Sequence, residues 1–129
     1  MDVKYEIKTN KAPKAIGPYS QAIEMRGIIY TSGVIPVDPD TDEIPEGIKA
    51  QTQQALRNLR GLLEAEKIGM HEVVRVTLFI KNMDDFDTIN EVYAKYFEEP
   101  YPARVCVEVA RLPKDVLIEI EAIAIMPEH

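Results

Sequence analysis

The sequence predicts an α+β fold in which two helices cover one face of a mixed sheet of about six strands. Three observations carry that prediction. Short runs alternate apolar and polar residues with a period of two, and two stretches repeat apolar residues at three- and four-residue spacing. These segments follow one another in the order β-β-β-α-β-α-β-β, which suits a layer of helices on a sheet.

Tyr5 and Ile7 mark a first short strand, after which Asn10-Lys-Ala-Pro-Lys-Ala-Ile-Gly-Pro18 is a loop broken by two prolines and a glycine. Gln21 to Met25 and Ile28 to Ser32 read as a strand pair around Arg26-Gly27. Pro36 to Gly47 is acidic and proline-rich, hence an exposed loop. Its Asp38-Pro-Asp-Thr-Asp-Glu43 lacks the glycine and glutamate that a calcium loop needs at its sixth and twelfth positions, where Glu43 and Lys49 stand. Ile48, Thr52, Ala55, Leu56, Leu59, Leu62 and Leu63 then form the stripe of an amphipathic helix that should stop near Gly69.

Val73 to Ile80 is the next strand, with Val74, Val76, Leu78 and Ile80 on one side. Asn82 can cap the second helix, Asp84 and Asp85 favour its positive end, and Phe86, Ile89, Tyr93, Tyr96 and Phe97 form its buried stripe. Asn90 lies within that stripe, and Pro100 and Pro102 end the helix. In the last two strands Val105, Val107 and Val109 alternate with Arg104, Cys106 and Glu108, and Val116, Ile118 and Ile120 with Leu117, Glu119 and Glu121. The alternation is expected to turn Val105, Val107, Val74 and Ile118 toward the helices. The opposite face, with Leu117, Phe79 and Ile123, is then too apolar for water and calls for a partner subunit.

The 129 residues suit a single domain over 1–129 with one core. A net charge of −7 argues against binding a phosphate backbone, whose affinity rests on clustered Lys and Arg. No apolar run approaches the roughly 18 residues that span a bilayer, and the start lacks a signal pattern, so a cytoplasmic location is expected. One cysteine forms no internal disulfide.

Charge inside the last two strands is the chemical signal. The Arg104 fork can grip a carboxylate through two parallel hydrogen bonds, and Glu119, set between Ile118 and Ile120, is costly unless paired or in a wet cleft. Arginines at such positions are more often paired with a glutamate of the same face, and Glu108 and Glu121 read as solvated or interface charges. Cys106 lacks the histidine or helix N-terminus that would activate a thiol, since His71 is in a loop and His129 ends the chain. It reads as a pocket-lining residue. Two histidines and one cysteine so placed make a structural zinc site unsuitable. Ser32-Gly33 closes a strand where glycine admits close approach to backbone amides, and Tyr19 carries a useful polar tip in Ile16-Gly-Pro-Tyr-Ser-Gln-Ala22.

Ile16–Ala22, Ser32-Gly33, Phe86-Asp-Thr-Ile-Asn-Glu-Val-Tyr-Ala-Lys-Tyr-Phe97 and the whole of Pro102–Ala122 resemble, in order and over nearly all of the chain, the Rid/YjgF family and within it the RidA-type 2-iminoacid (enamine/imine) deaminases. The resemblance implies a chorismate-mutase-like fold, a homotrimer with sites between subunits, and hydrolysis of reactive 2-imino acids to 2-oxo acids and ammonia without cofactor or metal. By position it implies that Arg104 binds the substrate carboxylate and Glu119 positions water, with Tyr19, Gly33, Asn90 and Cys106 lining the pocket. The link Glu98–Tyr101 is shorter than in many relatives. Val105 stands where many carry a small polar residue, a change expected to affect packing beneath the helices only. Competing readings are a non-catalytic binder of 2-oxo acids and, least favoured by charge, an RNA-acting protein.

Overall fold

A computed structural model describes residues 3–127; Met1, Asp2, Glu128 and His129, the histidine weighed above as a partner for Cys106, lie outside the described residues. The elements are β1 (Tyr5–Ile7), β2 (Ala22–Met25), β3 (Ile28–Thr31), α1 (Ile48–Glu64), β4 (Val73–Ile80), α2 (Phe86–Tyr93), β5 (Ala103–Glu108) and β6 (Ile118–Ile125). One six-stranded sheet has the order β1-β2-β3-β6-β4-β5; β4 and β5 are parallel and the other pairs antiparallel. The expected α+β architecture and element order are observed.

Local chemistry explains most boundaries. Arg26 and Gly27 both have positive φ, 55° and 79°, the conformation that a two-residue turn between twisted strands requires. Asn82 accepts from the Asp84 N–H at 2.9 Å, so it caps the single 3₁₀ turn Met83–Asp85 that leads into α2. The loop Pro36–Gly47 is closed on itself, with the Asp38 N–H donating to the Glu43 carbonyl at 2.8 Å. Helix α1 ends at Glu64, five residues before Gly69: Lys67 takes a φ of 59°, and the Ile68 N–H returns to the Leu63 carbonyl at 3.2 Å. Gln21 precedes β2, and β6 begins at Ile118 rather than Val116, after the 3₁₀ turn Pro113–Asp115.

The core lies between the helices and one face of the sheet. Leu56, Leu59, Leu63 and Ile89 from the helices meet Ile29, Val76, Leu78, Ile80, Ile118 and Ile120 from the strands, all fully buried. Gln51 ties α1 to the approach of β6: its Oε1 accepts from the Leu117 N–H at 2.7 Å, while its Nε2 donates to the Pro45 carbonyl at 3.0 Å. Leu117 is thus held half-buried just outside the strand. Asn58 donates to the carbonyls of Ile35 and Val37 at 3.0 and 2.9 Å, fixing the chain that leaves β3.

Two expectations about faces are overturned. A register shift between Val73 and Arg75 turns Val73 inward and leaves Val74 exposed. In β5 the register pairs Arg104 with Val76 and Cys106 with Leu78, both core residues, so Arg104 and Cys106 are on the helix-facing side. Val105 and Val107, opposite Thr77 and Phe79, face away from the helices and are each 37% exposed. Alternation separates the two sets of residues but does not say which set is inside. Val105 therefore contributes to the outer face rather than to packing beneath the helices. That outer face does carry the apolar residues expected of it, Phe79 and Ile123 among them, with the exposed Tyr30.

Gly61, in the middle of α1, gives a direct test of the packing between the helix and the N-terminal loop. A Cβ there would lie 2.5 Å from the Lys11 carbonyl oxygen and 2.9 Å from its Cβ. Alanine gains about 1 kcal/mol in helix propensity, but the contact is with backbone and cannot be relieved by a rotamer change. Gly61→Ala is expected to destabilise the chain by about 1–3 kcal/mol net, visible as a lower midpoint in thermal or urea unfolding.

Candidate functional site

Arg104 projects from the edge strand β5 beneath the first turns of α2. Its guanidinium carbon lies 4.7 Å from the centre of the Tyr93 ring and 5.5 Å from that of Phe86. Phe86 and Tyr93 are seven residues apart, two turns on one side of the helix, and Asn90 falls between them on that side. Cys106, two residues along β5, shares the face and packs against the core. Asn90, Arg104 and Cys106 are therefore brought to one region.

The guanidinium has no carboxylate partner among the described residues. Glu108, on the same side of β5, instead accepts from the Met83 N–H at 2.7 Å. In a chain with 22 acidic residues a half-buried arginine without an ion pair among the described residues leaves its donors open to an anion. Burial pushes the Cys106 thiol up, against a smaller lowering by Arg104, so the thiol form is favoured and a nucleophilic role is not.

Glu119 belongs to the other face. It pairs with Phe79 in the register, on the side turned away from the helices. Its carboxylate rests on Gly33: a Cβ on that glycine would sit 1.7 Å from Glu119 Oε2 and 2.7 Å from Cδ. The contact is built by the bridge between Val34 and Ile120, whose N–H groups donate reciprocally at 2.6 and 3.0 Å. Burial first, and the neighbouring charge of Glu121 second, hold the Glu119 carboxyl above its ordinary range.

Tyr19 and Gly33 line one cleft of about 440 Å³, with Ser32, Ile35 and Lys114 also on its wall. Gln21 organises this region. Its Nε2 donates to the carbonyls of Thr9, Ala12 and Pro13, and its Oε1 accepts from the Thr9 N–H at 2.8 Å. Ser32 Oγ donates to the Ser20 carbonyl at 2.6 Å, and the Tyr19 hydroxyl accepts from the Ile16 N–H at 3.1 Å. These bonds fix the loop that carries Tyr19 beside the strand end that carries Gly33.

Within the chain the candidate residues fall apart: Asn90, Arg104 and Cys106 share the helix-facing side of the sheet, Glu119 lies on the other face against Gly33, and Tyr19 shares the cleft that Gly33 lines. Within one chain the sheet separates Arg104 from Glu119. The sequence pattern assigns Phe86 and Tyr93 to the core stripe of the helix only. The signal that could have marked them is their position either side of Asn90, a polar residue within an apolar stripe. Among the described residues no three His, Cys, Asp or Glu side chains group as a metal site would, and no helix is long and apolar enough to cross a membrane.

Gly33→Ala follows from the contact with Glu119. The clashing atoms are the far end of a flexible side chain, so the fold should survive with little change in melting temperature. The carboxylate must move, however, and a displacement of about 1 Å at a reacting group can cost up to about 100-fold in rate. Were Glu119 to take part in a reaction, kcat should fall at least tenfold beside an unchanged circular dichroism spectrum.

The Endoribonuclease L-PSP family profile matches residues 9–126. A RutC family protein of Pyrococcus horikoshii is 56% identical over 95% of this chain and 98% of its own. The 2-iminobutanoate/2-iminopropanoate deaminase of Escherichia coli K12 is 49% identical, covering 92% of this chain and 95% of its own. Among solved structures, E. coli TdcF with bound serine superposes with a TM-score of 0.91 at 45% identity, over 95% of this chain and 99% of that one.

Proposed function

The chain belongs to the Endoribonuclease L-PSP family, the YjgF/Rid group, and on that premise we propose that it hydrolyses small 2-imino acids, such as 2-iminobutanoate and 2-iminopropanoate, to 2-oxo acids and ammonia. The observation that carries this reading is Arg104, a half-buried guanidinium without a carboxylate partner among the described residues. A short 2-imino acid supplies that carboxylate, and the serine held by the TdcF relative is of the same size and charge class.

In the proposed reaction Arg104 holds the carboxylate by two charge-assisted hydrogen bonds, and Asn90 and Cys106 line the same end of the pocket. Glu119, ionised, takes a proton from water as the water oxygen bonds to the imine carbon. The π bond to nitrogen collapses onto that nitrogen, giving a tetrahedral carbinolamine. The proton held by Glu119 passes to the nitrogen; Glu119 then takes the hydroxyl proton and relays it to the same nitrogen, so that the carbon–nitrogen bond breaks, ammonia leaves and the carbonyl forms. Water is consumed, no electrons are exchanged, and the Glu119 carboxylate is regenerated. A proton affinity above the ordinary glutamate range suits a group that both takes and returns a proton.

Because the sheet divides Arg104 from Glu119, the reading requires that one molecule's Asn90–Arg104–Cys106 cluster meet the Tyr19–Gly33–Glu119 cluster of another. A homotrimer with three clefts between subunits satisfies this, and the exposed Val105, Val107 and Tyr30 on the outer face supply apolar surface for the contact. The net charge of −7 weighs against RNA cleavage, despite the family's name.

The test is to generate 2-iminobutanoate with an amino-acid oxidase and follow its loss with and without the protein. Faster hydrolysis than in buffer is expected. Loss at the buffer rate, together with binding of 2-oxobutyrate, would instead support the non-catalytic binder.

A further inference from the structure

The two rings over Arg104 have a role that core packing leaves unexplained. Tyr93 is 94% buried, yet its hydroxyl has no hydrogen-bond partner among the described residues. An orphaned buried hydroxyl is unfavourable, and phenylalanine would fill the same space without it. Tyr93 is itself held against Phe97, ring centres 4.5 Å apart and inclined by 33°, so its face is presented to Arg104 from a fixed base. Phe86 is only half-buried and stands at the first position of α2. What the two share is a guanidinium within cation–π distance of both ring centres.

Arginine on an edge strand would ordinarily sample many rotamers, and each hydrogen bond to a ligand would oppose that freedom. Nothing else restrains it here, since it has no ion pair among the described residues. Stacking on ring faces leaves the N–H edge of the guanidinium plane free, which is the edge that grips a carboxylate. A carboxylate partner from the protein would have occupied it.

We propose that Phe86 and Tyr93 are positioning residues for the substrate, acting through Arg104: their rings hold the guanidinium in the plane that receives the substrate carboxylate. The inference rests on the reading that Arg104 binds that carboxylate. It predicts a change in capture of the acid rather than in the chemical step, because the rings restrain the group that holds the substrate and not the one that activates water.

The experiment measures KM and kcat for 2-iminobutanoate generated in situ, and the Kd of 2-oxobutyrate by calorimetry, in the full chain. Phe86→Leu removes a ring from a half-exposed helix start and should fold. It is expected to raise KM and Kd about three- to tenfold with little change in kcat, and Phe86→Tyr should restore both. Tyr93→Leu should act in the same direction, with a lower melting temperature; if it does not fold, Phe86→Leu still decides. In the Arg104→Ala background Phe86→Leu should change Kd no further, the coupling expected of residues that act through one another. Wild-type KM and Kd in Phe86→Leu, or an equal loss in both backgrounds, overturns the clamp. An Arg104→Ala variant that binds and turns over as the wild type overturns the functional reading as well, so the two failures are distinguishable.

Discussion

Arg104→Ala is expected to lower kcat/KM for imine hydrolysis by two to three orders of magnitude while leaving the chain folded. The proposed carboxylate contact comprises two charge-assisted hydrogen bonds, each worth about 1.5–3 kcal/mol, and every 1.4 kcal/mol is about tenfold. The lower part of that range applies because the side chain is only half-buried and the product escapes to water. Folding should be spared: no carboxylate among the described residues loses a partner when the guanidinium is removed. The vacated space is bounded by Phe86 and Tyr93, and the latter stays braced by Phe97. Arg104→Lys separates charge from shape. It keeps the cation and loses the planar fork, so a residual activity above that of the alanine variant is expected. Steady-state kinetics on both variants, beside thermal unfolding, checks the pair. Wild-type turnover in the alanine variant would remove the basis of the proposed function.

Much of the fold was legible because it is set locally. Arg26-Gly27 announces a turn by its dihedral requirements, Asn82 caps by an interaction two residues away, and the leucines of α1 repeat at the helical period. What was not legible depends on distant pairing. Whether Val105 or Arg104 faces the helices is decided by the register of β5 on β4, and an apolar side that awaits another surface looks in sequence like one that faces the core. The same holds for Val74, displaced outward by a one-residue irregularity that alternation cannot foresee. Of the site, the chemically distinctive residues could be named from type and motif. The contact of Gly33 with Glu119, 86 positions apart in the numbering, could not, because it arises from the isolated bridge of Val34 to Ile120. Nor could the approach of Arg104 to the faces of two aromatic rings, which requires α2 to cross over an edge strand.

Glu119→Gln is expected to abolish most hydrolysis and at the same time to stabilise the chain at neutral pH. Removing a positioned general base typically costs about 100- to 10,000-fold, and glutamine cannot take the proton from water. The stability effect follows from the direction of the Glu119 shift. Its carboxyl is held above its ordinary value by burial first and by Glu121 second, so the fold prefers the protonated form. A folded pKa above the unfolded one means that the group's contribution is fully present below the unfolded pKa and is lost as pH rises through the folded one. Once pH has passed the folded titration the wild type has lost it, whereas glutamine carries no titrating group. The difference in melting temperature, variant minus wild type, should therefore be small in acid and become positive as pH rises through the titration of Glu119. The activity of the wild type should show an acidic limb above the usual glutamate range, because the ionised form is the base. Glu121→Gln, at an exposed position, removes the second cause of the shift and should move that limb to lower pH. A limb that stayed in place would leave burial as the sole cause, and a glutamine variant less stable than the wild type at neutral pH would show that the ionised carboxylate has a favourable partner in the assembled protein.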